Sequence, residues 1–266
     1  MENNGKAVTD TDYTIYWQPG CTSCLKAKEF LARRGIRYRS VNVHAAPEAL
    51  EHLRSLGVKS VPVVERNDGF VMAQNLDELA RFLGVAESRP RLSLAELAKR
   101  LDRVLQVALS QLTVVPAGLL SQKLRRDRTV RDLGFHVYAI VEGFLEAARG
   151  GALSEAHFYR LPNPNADAAA LRKHGLQIAE QFASWWQDNG AIAEGQRYAT
   201  YYGDQIAAEL LERTCWHAAQ HCRQMDAFLN QAGVKLPQRL TAEDLAGLPV
   251  PEHVWDDELP MMQPKP

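Results

Sequence analysis

Apolar and polar positions in the first third of the chain alternate between two spacings. Short runs of β-branched and aromatic residues predict strands, whereas apolar residues three or four positions apart predict helices. The predicted strands are Tyr13–Trp17, Arg37–Val43, Ser60–Glu65 and Gly69–Met72, and the predicted helices are Leu25–Arg34, Pro47–Leu56 and Leu76–Leu83. The order βαβαββα predicts a compact α/β domain over residues 12–84.

From Leu92 onward the pattern is helical throughout. Long amphipathic segments follow one another, joined by polar stretches such as LPNPNAD, and no strand is recognisable between them. These segments are Leu92–Val114, Thr129–Arg149, Ala166–Asp188 and Tyr202–Ala232. We therefore predict an all-α four-helix bundle over residues 92–235, preceded by a polar linker at 85–91. The proline-rich tail at 236–266 is predicted to be irregular, either draped over the bundle or disordered. The whole chain is then α+β.

Composition narrows the choice of partners. The chain has 266 residues, enough for two domains, with 46% hydrophobic and 24% charged residues. A net charge of −1 provides no basic field for nucleic acid. No stretch approaches the roughly 20 apolar residues that span a bilayer, and the N-terminal MENNGKAVTDTD lacks the apolar core of a secretory signal. We expect a cytoplasmic protein without nucleic-acid or membrane partners.

A pair of thiols follows the first predicted strand. Cys21 and Cys24 are separated by two residues and lie where the first helix begins. Backbone N–H groups and the helix dipole stabilise a thiolate at such a position, which lowers the pKa of a thiol. We therefore assign Cys21 as the attacking thiol and Cys24 as the resolving thiol. Pro62, after Val61, is a candidate cis-proline beside them. The alternatives are a structural pair or half of a zinc site, although the chain has no second CxxC motif.

A second candidate site lies in the last predicted helix. His217 and His221 are four residues apart, so both imidazoles lie on one helix face and can bind one divalent ion. Arg213 lies on the same face, where its guanidinium can bind a carboxylate or form an internal ion pair. Cys215 and Cys222 point away from it and are predicted to pack as small buried residues. Taken alone, such a pair is more often two core or surface histidines than a metal site.

His136, in RDLGFHVYAIVEGF, is the best candidate for a third ligand because its apolar neighbours mark a buried helix face. Asp132 lies one turn earlier and could support the ring, and Gly143 leaves room for a close helix or a substrate. Trp185-Trp186 and Tyr201-Tyr202 either line a pocket or pack in the core. The remaining histidines are predicted to lie at the surface: His44, His52, His157, His174 and His253.

Several segments of the first third together resemble the glutaredoxins: YWQPGCTSC, the helix after it, SVPVV and the NLDEL helix. The QPGCxxC pattern resembles the NrdH-like redoxins in particular. The resemblance covers residues 12–84 and implies a thioredoxin fold, dithiol–disulfide exchange and a groove for glutathione or a related low-molecular-weight thiol. The residues implied to border this groove are Gln18, Lys59, Val61, Pro62 and Asn75. The chain departs from the family where Gln18 replaces a common basic residue and Ala73-Gln74 replaces paired glycines.

RDLGFHVYAI and the later WHAAQHCRQM resemble the DinB-like (DinB/YfiT) family of four-helix metal-binding proteins. This resemblance covers Leu92–Gly233 and implies that His136, His217 and His221 bind a divalent metal, with Arg223 and Gln224 matching the pair that follows the last histidine. Zinc and nickel both suit imidazole ligands. Three histidines leave coordination positions open, as in catalytic rather than structural sites.

Members of the DinB-like family include thiol-dependent transferases and isomerases, so the two resemblances together imply a two-domain thiol enzyme. The Cys21–Cys24 dithiol would exchange disulfides, and the metal site would activate glutathione or another small thiol, or water, for transfer to a small electrophile. Two alternatives stay open. One is a redox protein whose bundle only binds a partner or a metal, and the other is a thiol-responsive metal sensor or metal-delivery protein. A homo-oligomer also stays open.

Overall fold

The structure, a computed structural model, describes residues 12–67, 69–86, 89–124 and 128–256. The chain divides into two compact units, Met1–Glu87 and Ser88–Pro266, which are described separately. Residues 87–88 of the predicted linker and 257–266 of the predicted tail lie outside the described residues.

The N-terminal unit is built on a mixed sheet. Its strands are β1 (Thr14–Trp17), β2 (Arg39–Asn42), β3 (Val63–Arg66) and β4 (Gly69–Met72), and its helices are α1 (Thr22–Arg33), α2 (Pro47–Ser55) and α3 (Leu76–Leu83). The strands pair in the order β2-β1-β3-β4, with β1 parallel to β2 and antiparallel to β3. Ile15, Tyr16 and Trp17 are buried because β1 is an inner strand. The predicted thioredoxin-like fold is confirmed.

The C-terminal unit is a bundle of four long helices: α4 (Leu94–Leu112), α5 (Val130–Ala148), α7 (Ala168–Asn189) and α8 (Ala207–Gln231). Both α4 and α5 pack against α7 and α8, so the four helices enclose one core. Capping boxes fix where α4 and α5 begin, with Ser93 paired to Glu96 and Thr129 paired to Asp132. Shorter helical segments lie outside the bundle: a 3-10 helix at Ala117–Leu119, α6 (Ala156–Tyr159) and α9 (Ala242–Leu245).

The prediction that the helical region contains no strand is wrong. Three short strands pair in the order β5-β6-β7: β5 (Ala152–Leu153), β6 (Arg197–Thr200) and β7 (Gln205–Ile206). β5 and β7 have two residues each, too few for an alternating pattern, and the four residues of β6 alternate only between exposed and half-buried positions, so β6 has no buried apolar face. The last predicted helix therefore begins at Ala207 instead of Tyr202.

The described part of the C-terminal tail packs on the bundle. The Arg103 Nη1 group of α4 donates to Gln238 Oε1 at 2.7 Å, and Arg239 forms an ion pair with Asp226 of α8 at 3.0 Å. Asp244, in α9, forms an ion pair with Arg103 at 3.4 Å. Residues 236–256 therefore lie over the bundle, which is one of the two alternatives predicted for the tail. None of the helices in the described ranges has both the length and the apolar character to cross a membrane.

Alanine at Gly175 is expected to destabilise the bundle, because its Cβ would lie 2.5 to 2.9 Å from ring atoms of Tyr138. The Tyr138 ring is fully buried and its hydroxyl donates to Leu105 O at 3.4 Å, so it has little freedom to move. Overpacking costs about 1–3 kcal/mol, and the gain in helix propensity offsets about 1 kcal/mol. We expect the free energy of unfolding, measured in urea, to fall by about 1 kcal/mol.

Gly118→Ala is the matched control, because a Cβ at that position meets no atom within 4 Å. Its stability should equal or slightly exceed that of the wild type, since alanine restricts the unfolded chain. Equal stability of the two variants would contradict the close packing of α5 against α7.

Candidate active site with a dithiol and a histidine cluster

Cys21 lies at the N-cap of α1, at the end of the turn that follows β1. Its N–H donates to Gln18 O at 3.3 Å, and Gly20 supplies the positive φ of +66° that this turn requires. The Cys24 N–H points at Cys21 Sγ from 3.2 Å. An anionic sulfur at Cys21 is therefore stabilised by a backbone donor and by the positive end of the helix dipole.

Cys21 and Cys24 form a disulfide in the structure, with their Cα atoms 5.2 Å apart. Cys21 is at the boundary of burial, at 9% exposure, whereas Cys24 is completely buried. An incoming sulfur can thus reach Cys21 more readily than Cys24. This difference matches the roles of attacking and resolving thiol.

The Val61–Pro62 peptide bond is cis, as predicted, and lies beside the dithiol. Cys21 Sγ is 3.9 Å from Val61 O, and the same carbonyl accepts a hydrogen bond of 3.1 Å from Gln74 Nε2. Lys26 Nζ of α1 in turn donates to Gln74 O at 3.2 Å. Gln74 thus connects the proline loop to α1. Its sequence position, where the family commonly has one of two paired glycines, did not predict this contact.

The other predicted groove residues have different surroundings. Gln18 Oε1 lies 3.1 Å from His44 Nε2, and the Lys59 side chain is exposed. Pro62 is buried, and the Asn75 side chain caps α3 by accepting from Asp77 N at 2.9 Å. Val61, also predicted to border the groove, places its carbonyl oxygen 3.9 Å from Cys21 Sγ.

In the C-terminal unit, the packing of α5 against α8 brings His136 together with His217 and His221. All three side chains are buried, and their ligand atoms lie within 4.8 Å of one another. The His221 ring centroid is 4.8 Å from each of the other two, and the His136 and His217 centroids are 5.8 Å apart. Three imidazoles gathered in an apolar interior are a donor set that fits zinc or nickel.

Aromatic rings shield the histidine cluster. Phe158, from α6, stacks on the His217 ring at 5.7 Å and meets the His136 ring edge-on at 6.1 Å. Trp216 also stacks on His217, at 5.3 Å. The rings cover the cluster with apolar surface, and electrostatic interactions are stronger in such low-dielectric surroundings.

Arg213 is buried one turn before His217. Its Nη2 group donates to Tyr201 OH at 3.1 Å, and its Cζ atom lies 4.9 Å from the Phe158 ring centre and 5.3 Å from that of Tyr202. The Tyr201-Tyr202 pair thus lies against the guanidinium. The aromatic surroundings place a permanent positive charge next to the histidine cluster, where it can bind an anionic group.

The prediction that His157 lies at the surface is wrong. His157 is buried, with Nε2 2.8 Å from Glu146 Oε2, because α6 folds back onto α5 at Gly143. A Cβ on Gly143 would lie 2.6 Å from Leu153 Cδ1 and 3.1 Å from His157 Cγ. The room that Gly143 provides is therefore filled by Leu153 of β5 and by His157 of the short helix α6. Of the two predicted occupants, a close helix and a substrate, the observed one is the helix.

Asp132 does not support the His136 ring through the contacts observed. Its carboxylate accepts from the Thr129 N–H at 2.8 Å and from the Thr129 hydroxyl at 2.7 Å, so it caps α5. Trp185 packs in the core against Phe144, with ring centres 5.0 Å apart. The hydrogen bond that orients His221 comes from Gln224, whose Oε1 lies 2.8 Å from His221 Nδ1.

The glutaredoxin family model matches residues 13–71. The glutaredoxin-like protein NrdH of Escherichia coli is 38% identical over 55 residues, which are 21% of this chain and 68% of that protein. The chain belongs to the glutaredoxin-like NrdH family. The NrdH protein of Salmonella typhimurium is 36% identical over the same length, and that of Lactococcus lactis subsp. cremoris is 26% identical over 68 residues, or 26% of this chain and 94% of that protein.

These matches concern the N-terminal unit, which is a redox domain of the thiol–disulfide oxidoreductase family. The Cys21–Cys24 pair is its dithiol. The matched family segment ends at residue 71, before the helical bundle begins.

The two cysteines of α8 have a different chemistry. Cys215 and Cys222 are fully buried, and burial raises the pKa of both thiols, because an apolar interior disfavours the thiolate. Cys222 Sγ also lies 3.4 Å from Gln111 Oε1, which accepts from the thiol. Both cysteines are protonated packing residues at neutral pH, in agreement with the sequence prediction.

After reduction, iodoacetamide at neutral pH should modify Cys21 first, because alkylation requires an accessible thiolate. Cys215 and Cys222 should react only in urea, since their raised pKa values leave little thiolate at any pH below those values. Mass spectrometry of the labelled peptides over time measures the order, with Cys21→Ser as the control. Labelling of Cys215 or Cys222 in the native protein at the rate of Cys21 would contradict this assignment.

Proposed function

We propose that the chain is a two-domain thiol enzyme. Its dithiol exchanges disulfides, and its histidine site binds a divalent metal and promotes transfer of a low-molecular-weight thiol, with glutathione as the first candidate, or of water to a small electrophile. The observation that carries this proposal is the convergence of His136, His217 and His221 beside the buried Arg213.

At the dithiol, the Cys21 thiolate attacks one sulfur of a substrate disulfide. A mixed disulfide forms on Cys21, and the other substrate sulfur leaves as a thiolate. Cys24 then attacks Cys21 Sγ, which closes the Cys21–Cys24 disulfide and releases the second substrate thiol. The substrate has gained two electrons from the dithiol, and an external thiol reductant restores the dithiol for the next cycle.

The second half of the proposal concerns the histidine cluster. The resemblance of RDLGFHVYAI and WHAAQHCRQM to the DinB-like family supports His136, His217 and His221 as metal ligands, with zinc or nickel as the ion. When bound, a divalent ion lowers the pKa of a coordinated thiol or water and makes it a nucleophile at neutral pH. Phe158 stacks on the His217 ring and covers one face of it.

Arg213 supplies the anchor for the substrate. Its guanidinium can bind a carboxylate of glutathione through two parallel hydrogen bonds, which lysine cannot reproduce. Tyr201 OH lies 3.1 Å from Arg213 Nη2 and holds the guanidinium in one orientation. Arg213 would thus set the position of the thiol relative to the histidines.

Joining both sites in one chain has a kinetic advantage. A tethered domain meets its partner site at an effective concentration in the millimolar range for short linkers. The dithiol can reduce a mixed disulfide or release a thiol adduct that forms at the histidine site. The expected partners are therefore a small thiol and a small electrophile.

Replacing His217 by alanine is expected to remove the metal and the thiol transfer, while disulfide reduction by the dithiol continues. Cys21→Ser should have the reverse effect, abolishing disulfide reduction and leaving the bound metal in place. The measurements are zinc and nickel content by mass spectrometry, conjugation of glutathione to chlorodinitrobenzene, and reduction of a glutathione mixed disulfide.

His174→Ala is the matched control, because this histidine of the same bundle stacks on Phe135 and is not part of the cluster. Full transferase activity in His217→Ala, together with none in Cys21→Ser, would reject catalysis at the histidine site. It would favour a redox protein whose bundle only binds a partner.

Arg213→Lys is expected to impair the use of glutathione more than the use of cysteamine, a thiol without a carboxylate. Losing a charged hydrogen bond costs about 1.5–3 kcal/mol, so kcat/KM for glutathione should fall by about 10- to 100-fold. Steady-state kinetics with both thiols measures the difference. An equal loss for both thiols would show that Arg213 has a structural role.

A further inference from the structure

Four consecutive backbone carbonyls of the C-terminal tail accept hydrogen bonds from α8. We call residues 251–254 the C-terminal strap. Arg223 donates to Pro251 O at 2.6 Å and to Glu252 O at 2.9 Å. Gln220 Nε2 lies 2.9 Å from both His253 O and Val254 O. Gln224 Nε2 donates to Val254 O at 3.0 Å.

The last of these contacts decides the orientation of the Gln224 amide. A backbone carbonyl can only accept a hydrogen bond, so the amide nitrogen must face Val254 O. The amide oxygen then faces His221, with Gln224 Oε1 2.8 Å from His221 Nδ1. Since this oxygen can only accept, Nδ1 carries the ring proton. In a neutral imidazole, Nε2 is then the nitrogen with an available lone pair.

Without the hydrogen bond to Val254 O, the contact with His221 alone would not decide whether the oxygen or the nitrogen of the Gln224 amide faces the ring. An amide turned by 180° would present its NH2 group to His221 Nδ1 and would favour the tautomer with its proton on Nε2. That tautomer has no lone pair at Nε2 for a metal. The strap carbonyl therefore acts on the histidine through one intervening side chain.

We propose that the C-terminal strap is part of the metal site, with Gln224 as a positioning residue that keeps Nε2 of His221 ready to bind a divalent ion. This inference rests on the metal site of the proposed function. It adds that a segment outside the bundle helps to determine metal affinity. By linkage, a strap that favours metal binding is itself held more firmly when the metal is bound, by the same factor.

Two substitutions at residue 224 separate the two contacts of the amide. Gln224→Met removes both, and we expect the dissociation constant for Zn²⁺ to rise by about 10- to 100-fold, as for other partners of metal-binding histidines. Gln224→Glu still accepts from His221 Nδ1 and cannot donate to Val254 O. It should keep zinc affinity close to that of the wild type while the strap loosens.

Removing the strap, with a chain that ends at Val250, gives the decisive comparison. In the wild-type background this truncation should weaken zinc binding at least about threefold, on the scale of coupling between contacting residues. In the Gln224→Glu background it should change zinc affinity little, because a carboxylate presents an oxygen from either end. His253→Ala is the control, since it keeps the main-chain carbonyl that accepts from Gln220 Nε2.

Zinc affinity is measured by competition with a chromogenic chelator, and circular dichroism verifies that each variant is folded. Hydrogen exchange of the amides at 252–254, with and without Zn²⁺, measures the reciprocal effect and should slow when zinc is added to the wild type. This measurement does not depend on any enzymatic activity.

If the wild-type chain binds neither zinc nor nickel, both the metal site and this inference are wrong. If it binds zinc and the Gln224→Met and truncated chains bind equally tightly, the inference alone is wrong and the proposed function stands. Zinc affinity that falls equally on truncation in both backgrounds would also overturn it, because the amide would then not be the connection.

Discussion

Burying polar rings away from water imposes the main constraint on the helical unit. An imidazole loses its hydrogen bonds to water when two helices close over it, and the protein must replace them. This cost arises where α5 packs against α8, because His136, His217 and His221 are all buried there. Their surroundings follow from it: Phe158 and Trp216 cover the ring faces, and Gln224 satisfies one ring nitrogen.

The chain places thiols in two opposite environments. Cys21 lies at a helix end, where a backbone N–H faces its sulfur. Cys215 and Cys222 lie in the middle of α8, where burial raises their pKa and keeps them protonated. The identity of the residue is the same in each case, and its position along a helix decides whether it is chemically active.

The sequence predicted most of what depends on local periodicity. The strands and helices of the thioredoxin-like unit, the four long helices and the Cys21 N-cap all follow from patterns a few residues long. The features that the sequence did not predict depend on contacts between residues that are far apart in the chain. His157 is buried because α6 returns to Gly143, and Gln74 donates to Val61 O where the two ends of the β3–β4 hairpin meet. Strands β5 to β7 form by main-chain pairing, which does not require a particular pattern of apolar and polar side chains.

The way in which the C-terminal strap is held has a consequence for how this part of the chain can vary. The hydrogen bonds that Gln220, Arg223 and Gln224 donate to residues 251–254 are accepted by main-chain carbonyls, which all amino acids possess. Substitutions at Glu252 or His253 therefore leave the acceptors unchanged. A single inserted residue between α9 and Pro251 would move every carbonyl by one position. Homologues that share this arrangement would be recognised by a constant spacing and not by a sequence motif.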